Sequence, residues 1–283
     1  MMQNLWENGR KLTAAASLYS PSAYRGFKER ALWSKIKTFC LFLGYPRSGH
    51  SSVGALLNAH PDMVISHESE ALKYCYLGFG KRQIYDLIYQ KTIDDAETQR
   101  VLGGYSYHVP DQWQGKVRTL KTIGDKQGEG TVLRIAASDR YITRLKRVTG
   151  AELRFIHVVR NPYDNISTMM KKTPRFGGDL NRCIEHYFYL CRVILDFKAT
   201  IEPTDLVEFK HEDFLNEPQV YLKELCDHLN VEATQSYLDD CSNIVYKVPN
   251  KSRYQTDWSP EQIDLVAEQI ARFPFLSGYA YDS

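Results

Sequence analysis

Thr38-Phe39-Cys40-Leu41-Phe42-Leu43-Gly44 runs straight into Tyr45-Pro46-Arg47-Ser48-Gly49-His50-Ser51-Ser52. An apolar strand pattern stops at a glycine, passes through a tight hydroxyl-rich loop and resumes as helical periodicity from Val53 to Ala59. That sequence of events gathers backbone N–H groups around a phosphate-type anion. The spacing is close to that of a Walker A loop, since Gly44 and Gly49 enclose four residues. His50 stands where that loop needs its lysine, and the cation sits earlier, at Arg47. The segment reads as an anion cradle for chemistry other than magnesium-dependent ATP turnover.

Outward from the cradle, strand and helix patterns alternate. Met63 to Ser66 is a short strand ending at His67-Glu68, and Glu70 to Gly78 and Arg82 to Arg100 read as helices. A loop with Tyr105, Tyr107 and His108 precedes a strand expected over Thr119 to Ile123 and ending at Gly124-Asp125-Lys126. Val132 to Thr149 reads as one basic helix terminated by Gly150. Leu153 to Val159 is apolar on both faces, as a buried parallel strand requires. Helices over Leu180 to Ala199 and Glu217 to Leu229 flank a strand at Leu206 to Phe209. This alternation predicts a three-layer α/β/α fold with a central parallel sheet. We expect a single domain over residues 1–283, with 1–37 as an N-terminal helical extension.

Composition narrows the function classes. The 283 residues carry a net charge of +2 with 43% hydrophobic and 25% charged residues, so no long-range field favours nucleic acid or a membrane surface. The six cysteines are scattered without CxxC spacing, which reads as buried thiols in a reducing compartment. No run is long enough for a membrane span, and the first residues do not form a signal peptide. A cytoplasmic protein is expected.

A second anion-binding element follows the strongest strand. Arg160 ends it, and Asn161-Pro162-Tyr163-Asp164 opens a helix with a capping residue and a proline at its first position. Ligands bind at such strand ends in open α/β sheets. Ser167 and Thr168 lie two turns on, where either hydroxyl can face the same anion or bond to the backbone. Late in the chain Lys247 to Trp258 forms a basic loop, anchored by the helix start Ser259-Pro260.

The ordered set resembles the sulfotransferases that use 3'-phosphoadenosine 5'-phosphosulfate (PAPS), in particular the bacterial and tyrosylprotein branches. Their 5' loop, Pro-Lys/Arg-Ser-Gly-Thr-Thr, is similar to Pro46-Arg47-Ser48-Gly49-His50-Ser51. Their 3'-phosphate arginine and later serine look like Arg160 and Thr168, with Ser167 as a near neighbour. Their late basic loop looks like Lys251-Ser252-Arg253, and Asn58-Ala59-His60-Pro61-Asp62 adds further likeness. The resemblance implies that PAPS is the sulfuryl donor, held by Arg47, Ser48, Gly49, His50, Ser51, Ser52, Arg160, Ser167 or Thr168, Lys251, Ser252 and Arg253. It implies no metal.

The chemistry would be in-line transfer of a sulfuryl group to a hydroxyl or, less readily, an amine. Arg47 would stabilise charge on the bridging oxygen, without donating a proton. Two residues compete for the general base. Glu68 matches the catalytic glutamate of the tyrosylprotein branch, while His108, in Tyr107-His108-Val109-Pro110, is similar to the histidine of the small-molecule enzymes. The position of Glu68 after the cradle helix favours it. His67, Tyr107 and Lys126 would contact the acceptor or the sulfuryl group. Tyr24, Tyr74, Tyr76, Tyr105, Tyr107, Trp113 and the Phe176-Gly177-Gly178 loop are candidates for an acceptor pocket. The acceptor is expected to be a small molecule, saccharide or lipid headgroup, and a homodimer is left open. The alternatives are a small-molecule kinase, which needs the missing lysine, and a non-catalytic nucleotide-binding module.

Overall fold

A computed structural model describes residues 2–98, 101–102 and 105–283. Its strands are β1 (Thr38–Leu43), β2 (Met63–His67), β3 (Val101–Leu102), β4 (Tyr105–Ser106), β5 (Thr122–Lys126), β6 (Glu152–Val159) and β7 (Leu206–Lys210). The helices up to β6 are α1 (Met2–Lys28), α2 (His50–Leu57), α3 (Ala71–Tyr76), α4 (Lys81–Glu97), α5 (Glu129–Ala137) and α6 (Arg140–Thr149). Beyond it come α7 (Pro162–Lys172), α8 (Leu180–Lys198), α9 (His211–Asn216), α10 (Pro218–His228), α11 (Gln235–Asn243) and α12 (Pro260–Ile270).

Five strands form a parallel sheet in the order β2-β5-β1-β6-β7. The central strand β1 is buried along its whole length and divides its side chains between two cores. Phe39, Leu41 and Leu43 face one side, where they join residues of α3, α4, α5, α7 and α8. Cys40 and Phe42 face the other, against α2, α10 and α11. Period-two alternation on a strand covered by helices on both faces therefore produces the expected α/β/α layering. The crossover after β1 runs towards β2, while that after β6 runs towards β7. The strand order reverses between β1 and β6, which makes their carboxyl ends the switch point where a crevice opens.

Three expectations need correcting. The strand expected at Thr119 to Ile123 is displaced to Thr122–Lys126, so Gly124, Asp125 and Lys126 lie inside it. Gly124 is required there, because a Cβ at that position would stand 2.6 Å from the Cys40 carbonyl oxygen of β1. The single helix expected over Val132 to Thr149 is broken at Ser138, whose backbone is extended (φ −173°, ψ 137°). Helices α9 and α11 and the short β3–β4 pair were not anticipated; their apolar patterns are too brief to register. At the other end of the chain, α1 crosses α4 at Gly26, where a Cβ would meet the Arg82 carbonyl oxygen at 2.5 Å. The ion pair Arg25–Asp86 (2.8 Å) fixes that crossing.

Candidate active site

The loop after β1 turns through Arg47 and Gly49, both with left-handed backbone (φ 69° and 94°). Glycine is needed at 49: the His211 ring, from the end of β7, lies against it, and a Cβ would come within 2.2 Å of His211 Cδ2. The loop is held from below by Tyr45, whose hydroxyl donates to His157 Nε2 (3.0 Å). His157 Nδ1 in turn donates to Glu208 (2.7 Å), which Lys198 also binds (2.8 Å). Burial depresses the His157 pKa in spite of Glu208.

Within the loop, Ser48 is buried and its hydroxyl meets His50 Nδ1 at 2.8 Å. The His50 ring closes the loop from behind, packed on Gly128. Burial, and then the charge of Lys126 and the neighbouring His67 and Arg47, push its pKa down, so it is a neutral imidazole. Ser51 Oγ lies 3.5 Å from His67 Nε2. Ser52, another residue of the expected anion cradle, donates its N–H and its hydroxyl to the Gly49 carbonyl (3.1 and 3.0 Å). The Arg47 guanidinium is exposed and donates to the Lys172 carbonyl at the end of α7 (2.7 Å).

The turn after β6 is as the sequence prescribes: Asn161 caps α7 by accepting from Tyr163 N (3.0 Å), with Pro162 in the first turn. Arg160 is 7% exposed and donates to three segments, the Arg47 carbonyl (3.1 Å), Thr168 Oγ1 (3.3 Å) and the Asn250 carbonyl (2.5 Å). Thr168 also meets Ser252 Oγ at 2.9 Å. Of the two hydroxyl candidates on α7, Thr168 joins the arginine. Ser167 points elsewhere, accepting from Trp258 Nε1 (3.1 Å).

The late loop is tied to α7 by its own side chains. Arg253 is buried and paired with Asp164, through its backbone N–H (2.9 Å) and its guanidinium (2.6 Å). Burial raises the Asp164 pKa, and the hydrogen bond and charge from Arg253 oppose that rise, together with the charge of Arg160. Arg253 thus fastens the loop to α7. Lys251 is exposed and directed to the Ser283 carbonyl (3.4 Å).

The carboxyl ends of β2 and β5 supply the other charges. Lys126, 1% exposed, reaches His67 Nε2 (2.8 Å) and Glu68 Oε1 (3.0 Å). Its aliphatic stem crosses α2 at Gly54, where a Cβ would stand 2.8 Å from Lys126 Cγ, which accounts for a glycine within that helix. Glu68 has a left-handed backbone (φ 58°) and an exposed carboxylate.

These elements meet in a cavity of about 660 Å³, lined among others by Arg47, Ser51, His67, Glu68, Arg160 and Thr168. That volume lies in the usual range for small-molecule sites. Tyr107 lines it too, whereas His108 is exposed and lines a neighbouring recess of about 90 Å³ shared with Ser51, His67 and Lys126. Apart from Tyr107, the described acceptor aromatics do not gather here: Tyr24 is 71% exposed on α1, Tyr76 stacks on Tyr141, and Phe176 packs beside His186. Tyr74 packs against the core, and the main chain at Trp113 is fixed by its N–H, which donates to the Ala59 carbonyl. The side chain of Tyr105 lies outside the described residues.

His211 and Glu129 are among the lining residues that went unread in the sequence. His211 is pushed to a pKa of about 3 by burial and by Arg160. Its signal was available, since it follows directly on the last parallel strand. Glu129, in the first turn of α5, is bridged by Arg175 and by His186. Burial works to raise its pKa, but those two partners outweigh it and hold the carboxyl below its usual range. Among the described residues no group of His, Cys, Asp and Glu side chains is arranged to hold a metal ion, and no helix is long and apolar enough to cross a membrane.

The Sulfotransferase family model matches residues 138–235, the segment that carries Arg160 and α7 but not the Arg47 loop. A curated relative is the omega-hydroxy-beta-dihydromenaquinone-9 sulfotransferase Stf3 of Mycobacterium tuberculosis, 26% identical over 98 residues. The match spans 31% of this chain and 25% of that protein's length. Sulfotransferase STF9 from Mycobacterium avium superposes with a TM-score of 0.54 at 11% identity, covering 94% of this chain and 85% of that one. The sulfotransferase domain from the curacin biosynthetic pathway gives 0.52 at 16% identity, over 84% of this chain and 99% of the domain. Residues 138–235 are thus similar to the Sulfotransferase family, and the chain that carries them has the fold of the solved sulfotransferases.

Proposed function

We propose that this protein transfers a sulfuryl group from PAPS to an acceptor hydroxyl. The observation that carries the reading is the hydrogen bond from Arg160 to the Arg47 carbonyl (3.1 Å). It joins the two strand-end anion elements into one cavity, whose other end holds His67 and Glu68, with Lys126 bonded to both from the adjoining recess. PAPS supplies an activated sulfur between a 5'-phosphate and the acceptor. The 5'-phosphate would rest on the loop amides before Ser52 and on the Ser51 hydroxyl. Arg160 and Thr168, with Ser252 behind, would hold the 3'-phosphate.

In the transfer step the acceptor oxygen forms a bond to sulfur while the sulfur bond to the bridging oxygen breaks. Charge grows on that oxygen, and Arg47 and Lys126 are the cations at hand to stabilise it. Glu68 takes the acceptor proton; its exposed carboxylate on the main cavity favours it over His108, which lines the side recess. The acceptor is a small molecule, saccharide or lipid headgroup. A hydroxyl acceptor accords with the hydroxylated menaquinone in the relative's name. Incubation of the purified protein with sulfur-labelled PAPS and a mixed hydroxyl-compound extract tests the reading. Mass gain of one sulfuryl group supports it, and preference for ATP with magnesium sinks it.

A further inference from the structure

We propose that Asp125 is a positioning residue, clamping the turn 66–71 so that Glu68 stays at the reacting end of the cavity. The inference rests on the sulfuryl-transfer reading and deepens it. Asp125 is 1% exposed, on β5, in register with Leu41 of β1 and Ser66 of β2. One carboxylate oxygen accepts from Ser69 N (2.9 Å) and Ser66 Oγ (3.3 Å), and the other accepts from Ala71 N (2.9 Å).

Those amides belong to an unusual turn. Glu68 and Glu70 are both left-handed (φ 58° and 62°), although neither is glycine. Such backbone persists only where the surroundings over-determine it. The two amides that Asp125 holds, at 69 and 71, alternate with the two strained residues, so one buried carboxylate fixes the turn across both.

The next residue completes the grip. Successive side chains on a strand point to opposite faces, so Asp125 secures the backbone of the turn while Lys126 holds the Glu68 carboxylate (3.0 Å). The Glu68 N–H also donates to the Lys126 carbonyl (3.1 Å), extending the β2–β5 ladder into the turn. Asp125-Lys126 is therefore a paired device: one residue sets where the base stands, and the other sets where its carboxylate points.

Asp125→Asn tests this, because the amide keeps the shape but must turn an NH2 group towards one of the two backbone N–H donors. Amide exchange at Ser69 and Ala71 should quicken by about tenfold, and kcat should fall by about tenfold. Affinity for adenosine 3',5'-bisphosphate, measured by calorimetry, should stay within about twofold, since Asp125 touches neither phosphate element. In a Glu68→Gln background the same substitution should add less than about a twofold loss, as expected of residues acting through one another. Unchanged exchange, or losses that multiply in the double variant, overturns the clamp. Full turnover in Glu68→Gln alone overturns the base assignment and with it the clamp's catalytic purpose. Ser66→Ala, which removes only one of the three bonds that Asp125 accepts, repeats the exchange and kcat measurements in a milder background if Asp125→Asn folds poorly.

Discussion

Two arginines close adjacent strands of one sheet and are held in opposite ways. Arg160 is buried, and its guanidinium donates to three chain segments at once. Arg47 is exposed, sits on left-handed backbone and is anchored in the structure by a contact to the carbonyl end of α7. A guanidinium fixed from three sides offers a preorganised grip to an anion that arrives and leaves unchanged. One resting on a helix-end carbonyl can move to charge that appears only during reaction, at the loss of a single hydrogen bond. The difference suggests a division of labour between binding and chemistry, which substitution can break.

Arg47→Ala carries the largest expected effect. Removal of one group that stabilises developing charge typically costs about 10²–10³ in kcat. The loss should appear at saturating donor, with affinity for adenosine 3',5'-bisphosphate weakened less than about tenfold. A binding loss as large as the turnover loss would place both arginines in the same role. Arg47→Lys sharpens the comparison: it restores the charge but not the fork that reaches the Lys172 carbonyl, and part of the turnover should return.

Arg160→Ala should act mainly on affinity. Loss of a charged, hydrogen-bonded grip corresponds to at least about a tenfold rise in donor KM, with kcat changed by less than about threefold at saturation. The same variant frees the Asn250 carbonyl, so protease sensitivity should rise in the 244–251 segment. Arg253→Ala is the control. It breaks a buried pair with Asp164 and should lower stability by about 3–5 kcal/mol, with donor KM less affected in the protein that remains folded.

The sequence displayed the two arginines equally well and hid the difference between them. Strand-then-turn patterns located both loops, because apolar runs, Gly49 and the Asn161-Pro162 start are local signals. The partners of each guanidinium lie far along the chain, at Lys172 and at Asn250, and no local pattern encodes them. Arg253 shows the same limit: a basic residue in a polar loop looks available until the buried Asp164 carboxylate is placed beside it. Asp125-Lys126 was read as the end of a strand because polar side chains inside a central strand defy hydrophobic periodicity. Gly124 was the clue, since a glycine there marks close backbone approach. The parallel sheet was legible throughout, whereas the site was legible as residues and not as contacts.

The same burial that fixes the loops sets the smallest of these effects, a pH dependence of stability. His211 lies against Gly49 with a pKa near 3, from a model-peptide value of 6.5, and His50 and His157 are depressed as well. Each is neutral in the folded chain and takes up a proton on unfolding below pH 6.5. The unfolded state therefore binds more protons across that window, and stability rises with pH from about 3 to about 6.5. One such group contributes at most about 1.4 kcal/mol per pH unit. Denaturant titrations between pH 4.5 and 7 should show this slope, and His211→Asn should reduce it by up to that amount while leaving stability at pH 7.5 less changed. An identical slope in the variant would mean that His211 is solvated, and that Gly49 owes its left-handed turn to something other than the ring packed on it.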